Sequence, residues 1–337
     1  MSSIVCFGEL LLRLSAPEHE RLLQSARFNV DVGGAEANVA VALARFGHAA
    51  RLISVVADNA LGEAAVGELR RHGVDVRDVR RAEGRMGLYF LEAGAVHRPS
   101  QVLYDRAGSA FAHTPAQNYD WPRLLENADL LHVSGVTPAL GADAARATLD
   151  ALRTARERGL HVVFDGNFRG KLWRVWNTEP QHVLREIFAC ADTLFADHRD
   201  IAMVLERDFD ASSPEQMSAA AATAAFAAFP LLRRIAATRR VQHSVDQHEL
   251  SAALHTRAGS VQLPAQTITS IIDRIGAGDA FAAGVLHGFQ SGMSDHESLE
   301  FGLAAACLKH SVPGDFLRLG ADEVAAFYGA RRFDVQR

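Results

Sequence analysis

Apolar residues fall into two recurring patterns along the chain: short continuous runs and longer stretches with a helical period. Ile4 to Phe7 is a run of the first kind and predicts a buried strand ending at Gly8-Glu9. Leu10 to Leu14 continues as apolar residues around Arg13, and residues 16–27 are polar and irregular. Phe28 to Val32 then alternates, which predicts a strand with one exposed face. Gly33-Gly34-Ala35-Glu36-Ala37-Asn38 runs into Val39 to Phe46, a helical pattern opened by a glycine pair and stopped at Gly47. Ala50 to Val56 reads as a strand of the buried parallel type, Asp58 to Gly62 as a loop, and Glu63 to Gly73 as a helix. Such alternation predicts a right-handed crossover layer.

Residues 86–106 break the alternation. Met86 to Glu92 and Gln101 to Arg106 are strand-like runs joined by a polar segment with Gly94 and Pro99, so they predict an antiparallel hairpin. With residues 10–15 and 27–33 they predict a small sheet outside the main layer, a lid or a dimer-forming surface. From about residue 120 the alternation resumes. Asp129–Val133, His161–Phe164, Thr193–Ala196 and Arg234–Thr238 predict strands, and Ala142–Gly159 and residues 214–229 predict helices. Leu250 to Leu263 is hairpin-like, a helix follows Gly276, and Leu299 to His310 predicts a last buried helix. The sequence shows no internal repeat and no low-complexity linker, so residues 1–337 read as one α/β domain with a mostly parallel sheet and a small β-sheet appendage.

Charge and composition narrow the partners. A net charge of −5 and a pI of about 6.3 give no basic surplus for nucleic acid. Three widely spaced cysteines, Cys6, Cys190 and Cys307, predict no disulfide framework and fit a reducing cytoplasm. The N-terminus lacks a secretory pattern, and Met217 to Phe229 is mostly alanine, too short to span a bilayer. No membrane partner is expected.

The chemistry concentrates in Asp273-Arg274-Ile275-Gly276-Ala277-Gly278-Asp279, which leads into a helix. Two glycines permit a tight turn that bares successive N–H groups, and a helix N-terminus favours an anion such as a phosphate. Asp279 in that place would be repelled by a phosphate, unless its task is to take a proton from an attacking hydroxyl; read alone, it is an ordinary cap. Gly33-Gly34 with Glu36 and Asn38 suits the lining of a sugar's hydroxyls, or a packing turn. Asp165-Gly166-Asn167-Phe168-Arg169 follows a strand directly, where an open parallel sheet places its ligands. Arg169 offers a forked donor set to a carboxylate or phosphate. Tyr104 and Arg106 share a strand face on the suspected lid, with Tyr89 on the neighbouring run.

Together these residues resemble the ribokinase-like (PfkB) carbohydrate kinases over nearly the whole chain, with Asp273 to Gly284 as the most specific signature. The resemblance implies a three-layer α/β fold with a lid, ATP and Mg²⁺ as cofactors, room for a monovalent cation, and a homo-oligomer formed through the lid. Within the family, the Gly33 to Asn38, Gly87-Leu88-Tyr89, Tyr104-Asp105-Arg106 and Asp165 to Arg169 segments are most similar to kinases of 2-keto-3-deoxygluconate. That similarity implies substrate contacts at Gly33, Gly34, Asn38, Tyr89, Tyr104, Arg106, Arg169 and Asp315. It makes Asp279 the base and Gly276, Ala277 and Gly278 the anion hole. Nucleotide contacts are implied at Asn167, Asp197, Thr238, Gly276 and Gly278. The family's Asn-x-x-Glu reads Asp197-His198-Arg199-Asp200 here, which leaves Asp197 and Asp200 as indirect metal contacts. The nucleotide loop, Thr238 to Asp246, lacks the usual glycine. The competing readings are a kinase of fructose or a nucleoside, and a sugar-acid sensor without catalysis.

Overall fold

The computed structural model describes residues 3–177 and 179–328. Its strands are β1 (Ser3–Phe7), β2 (Leu11–Ser15), β3 (Asn29–Gly33), β4 (Ala49–Ala57), β5 (Val79–Ala82), β6 (Gly87–Glu92) and β7 (Gln101–Asp105), followed by β8 (Leu130–Ser134), β9 (His161–Asp165), β10 (Thr193–Phe195), β11 (Arg234–Gln242), β12 (His248–Thr256) and β13 (Ser260–Ile268). The first helices are α1 (Ala35–Arg45), α2 (Ala60–Arg71), α3 (Trp121–Leu124), α4 (Ala142–Glu157), α5 (Gly170–Trp173) and α6 (Pro180–Cys190). The rest are α7 (His198–Leu205), α8 (Pro214–Ala228), α9 (Ala277–Gln290), α10 (Asp295–Lys309) and α11 (Ala321–Ala325).

Among the described residues the main sheet runs β13-β12-β11-β10-β9-β8-β1-β4-β5, parallel from β11 to β5 with an antiparallel meander through β12 and β13. Period-two side-chain alternation divides its apolar residues between two cores. Ile4, Cys6, Leu52 and Val163 face a core with α1, α2, α9 and α10, whereas Val5, Phe7, Ile53 and Phe164 face one with α4, α6, α7 and α8. The expected three layers and mostly parallel sheet are present.

The second sheet runs β3-β2-β6-β7, the segments expected to form a lid. It is mixed: β2 is antiparallel to β3 but parallel to β6. β1 passes through Gly8 to Leu10 directly into β2, so this sheet stands at the carboxyl ends of the parallel strands, where open sheets bind ligands. Leu11, Tyr89 and Leu91 on its inner face pack with Ile275 of the turn before α9.

Two local expectations change. Residues 58–62 are not simply a loop, because Asn59 caps α2 through bonds from the N–H groups of Leu61 and Gly62. The glycine-free segment from Thr238 is strand up to Gln242, paired with β12, and then a tight hairpin turn. Ladder pairing decides its structure, without any demand for glycine.

Candidate active site

Gly276 is the residue before α9 and holds φ at +80°, the left-handed region that favours glycine. A Cβ there would also lie 2.1 Å from the backbone oxygen of Asp315. Gly278, two residues on and inside α9, has no positive φ and open space where a Cβ would stand. The second glycine therefore leaves room rather than enabling the turn. No side chain caps α9. The Ala277 N–H turns back to Arg274 O at 3.3 Å, so the helical donors left open are those of Gly278 and Asp279. Of the expected donors Gly276, Ala277 and Gly278, Ala277 makes a bond within the turn, and the Asp279 N–H joins the open ones.

Asp279 sits in that first turn, only 8% exposed. Its Oδ2 accepts a 2.6 Å hydrogen bond from Asn38 Nδ2, on α1. Burial pushes its pKa up to about 7, against the Asn38 bond and the positive charge of Arg169, while Asp315 and Glu36 push it further up. A carboxylate that changes charge near neutrality suits a general base. The glycine pair at Gly33-Gly34 brings Asn38 here: Gly34 adopts φ +147° and its absent side chain makes way for Glu9 O. Glu36 does not line the site in the way Asn38 does. Its Oε1 accepts from Ser134 N, Ser134 Oγ and Thr137 Oγ1, tying α1 to the end of β8.

Asp315 closes another side. Tyr89 Oη donates to it at 2.7 Å and Arg13 Nη1 at 3.0 Å, and a Cβ on Gly33 would collide with it at 2.1 Å. Burial pushes Asp315 up to about 6, opposed by Arg13 and by the Tyr89 bond. Tyr104 lies beside Tyr89, ring centroids 6.4 Å apart. Arg106 is buried, with Nε 2.6 Å from Glu9 Oε2. Arg169 is exposed, and its guanidinium donates a long hydrogen bond, 3.3 Å, to Phe168 O. Asn167, two residues past the end of β9, takes φ +34°.

Asp197 and Asp200 form a capping box on α7. Asp197 accepts from the N–H groups of Arg199 and Asp200 and pairs with the Arg199 guanidinium, and Asp200 Oδ2 accepts from Asp197 N at 3.1 Å. Burial pushes Asp200 up to about 6, and the Asp200 carboxylate lies 3.1 Å from where a Cβ on Gly166 would stand. Among the described residues no group of three or more His, Cys, Asp or Glu could hold a metal ion. Mg²⁺ keeps most of its waters and commonly needs only one or two carboxylates plus substrate phosphates, so this donor set fits a cation that arrives with polyphosphate. Thr238 stands on β11 opposite Ala252, one strand beyond β10.

Sequence reasoning passed over two residues that build this site. Glu9 holds Arg106, and Arg13 joins Asp315 to Asp273 (2.6 Å) and Asp31 (3.2 Å). The available signal was a charge inside the apolar run Leu10–Leu14. Arg13 has a side chain only 5% exposed, so Arg13→Leu leaves its carboxylates without their counter-ion. Urea unfolding at pH 7 is expected to show a loss of about 3–5 kcal/mol. The loss should shrink at pH 5, where Asp315 takes a proton. A loss below about 1 kcal/mol at pH 7, the range of surface pairs, would show that the network holds nothing.

An open helix N-terminus with a buried, near-neutral carboxylate at its mouth is equipment for phosphoryl transfer to a hydroxyl, so the fold and site define a sugar-kinase class of enzyme. Comparison with known proteins agrees. Residues 1–317 match the pfkB family carbohydrate kinase model, and the chain belongs to this family. A 2-dehydro-3-deoxygalactonokinase of Haloferax volcanii is 34% identical over 96% of this chain and 95% of its own length. The 2-dehydro-3-deoxygluconokinase of Bacillus subtilis is 30% identical over 97% and 96%. The crystal structure of a 2-dehydro-3-deoxygluconokinase from Thermotoga maritima superposes with a TM-score of 0.91 at 37% identity, covering 96% of this chain and 98% of that one.

Proposed function

We propose that the enzyme transfers the γ-phosphate of ATP to a primary hydroxyl of 2-keto-3-deoxygluconate, giving 2-keto-3-deoxy-6-phosphogluconate. The observation that carries the reading is Asp279, buried and held by Asn38 beside the open N–H groups of α9. Asp279 accepts the hydroxyl proton as the oxygen attacks. The Gly278 and Asp279 N–H groups, with the positive end of the helix, meet the charge on the transferring phosphoryl; fixed dipoles in a dry site cost little reorganisation. Asp197 and Asp200 would hold a Mg²⁺ ion indirectly, through water, and the ion would supply neutralising charge to the polyphosphate. The sheet β3-β2-β6-β7 covers the site and excludes water.

The names of the relatives support a keto-deoxy sugar acid, and so do the arginines. Arg169 is free to take the substrate carboxylate, whereas Arg106 has committed Nε to Glu9 and can offer only its terminal N–H groups. Exposed Val30 and Leu103, on the edge strands of the lid, support a homo-oligomer formed there.

The test compares kcat/KM for 2-keto-3-deoxygluconate, its galacto epimer and fructose in wild type, Arg169→Ala and Arg106→Ala. A hydrogen bond to a charged group contributes about 1.5–3 kcal/mol, so Arg169→Ala should raise KM for the acids roughly ten- to a hundredfold and leave fructose nearly unchanged. Arg106→Ala should lose activity and stability together, because Glu9 stays buried without its partner. Equal losses for acid and neutral sugar would remove the carboxylate clamp. A wild type that prefers fructose would make the enzyme a fructokinase, and one that binds acids without consuming ATP would make it a sensor.

A further inference from the structure

Lys309, the last residue of α10, has a fully buried side chain. An ammonium is strongly hydrated and expensive to bury, even at a helix C-terminus, where a cation is favoured. Its surroundings explain it. Nζ donates to Val312 O at 2.8 Å, across the turn that leads to Asp315. Cε lies 3.5 Å from where a Cβ on Gly276 would stand, directly behind the turn that opens α9. Burial works against the ammonium; the negative charges of Asp273, Asp315 and Asp279 favour it, and Arg13 opposes it.

The segments around Lys309 are tied to each other at every step. His310 O accepts from Ile272 N at 2.9 Å and from Asp273 N at 3.2 Å. The Asp273 carboxylate accepts from Ile275 N at 3.0 Å and from Gly314 N at 3.1 Å. Asp315 O fills the space beside Gly276. The end of α10, the 312–315 turn and the 273–276 turn thus meet at one point, and the Lys309 ammonium stands beneath it.

We propose that Lys309 is a positioning residue for phosphoryl transfer, its buried ammonium holding the Gly276 turn and the Asp315 carboxylate in fixed relation through Val312 and Asp273. The proposal rests on the phosphotransferase reading above and deepens it. A charge behind the turn keeps the Gly278 and Asp279 donors aimed and adds to the positive end of α9. It acts on the reacting geometry, not on ground-state affinity.

Lys309→Met, similar in length and without charge, is expected to lower kcat roughly 10- to 100-fold with KM for both substrates changed less than about threefold, as small misplacements of reacting groups do. Lys309→Arg should recover part of that loss. In Lys309→Ala, methylammonium or ethylammonium should restore turnover saturably, while tetramethylammonium and NaCl at equal ionic strength should not. Hydrogen exchange of the ligand-free protein provides a readout besides activity: peptides covering 272–283 should exchange faster in Lys309→Met than in wild type. Wild-type kcat in a folded Lys309→Met, or unchanged exchange in 272–283, would overturn the proposal, as would folded Lys309→Ala that no alkylammonium ion rescues. If the alanine variant does not fold, the methionine variant and the exchange data decide. A wild type that phosphorylates no sugar at all would instead defeat the phosphotransferase reading, so the two failures are distinguishable.

Discussion

Asp279→Asn is expected to lower kcat by roughly 10²–10⁴, the usual contribution of a general base, while substrate binding persists. The amide is nearly isosteric, and its oxygen can still accept from Asn38 Nδ2. What it loses is the capacity to take a proton. Wild-type kcat/KM should rise with pH and level off above about 7, because the free enzyme must hold Asp279 ionised. The residual activity of Asp279→Asn should lack that limb. Stability moves the other way. A carboxylate whose folded pKa is raised is favourable when protonated, so its contribution falls as pH rises from about 4 through about 7. Asn has no such penalty. The melting temperature of Asp279→Asn should therefore exceed that of wild type at pH 8, and the gap should close toward pH 4. Retention of near wild-type kcat would remove the base assignment. A pH-independent melting difference would show that the carboxylate is not held neutral by its surroundings.

Asp279 and its turn were legible in the sequence because they lie within seven consecutive residues, Asp273 to Asp279. A strand-like run, glycines and a helical period placed them at a helix start before any contact was known. The parallel layer was legible for a similar reason: buried strands and amphipathic helices each carry their own period. Glu9, Arg13 and Lys309 were not. Each is a charge in an apolar segment, and its meaning lies in partners that only folding supplies. Arg13 reaches Asp273 and Asp315 across 260 and 302 residues, and Arg106 reaches Glu9 across 97. The segment from Thr238 was misread for a related reason. Exposed Arg239 and Arg240 carry little strand signal, and pairing with Ser251 and Leu250 on β12 overrides it. Nor could spacing show which glycine makes the turn, since that depends on where Asp315 returns to the site.

That last distinction gives the second large effect. Gly276→Ala is expected to damage both fold and activity, and Gly278→Ala far less. At Gly276 two costs add. An L-residue held in the left-handed region pays about 1–2 kcal/mol. The new Cβ would also stand 2.1 Å from Asp315 O, a backbone atom that cannot swing aside as a flexible side chain could. Overpacking of this kind costs about 1–3 kcal/mol. Relief requires either the start of α9 or the Asp315 segment to move, and each carries part of the site. Displacing the Gly278 and Asp279 donors should cost about 10²–10³ in kcat, the scale for losing one anion-hole donor. Gly278 has ordinary φ and no atom within 4 Å of a built Cβ, so alanine there should fold as well as wild type. It also gains from better helix propensity, up to about 1 kcal/mol. Any activity lost by Gly278→Ala then reports the methyl group entering the space of the phosphate. Thermal melts and ATP turnover on the two variants separate these roles. If Gly276→Ala kept wild-type stability and turnover, the turn would be slack enough to absorb a methyl, and the donors of α9 would not depend on its exact path.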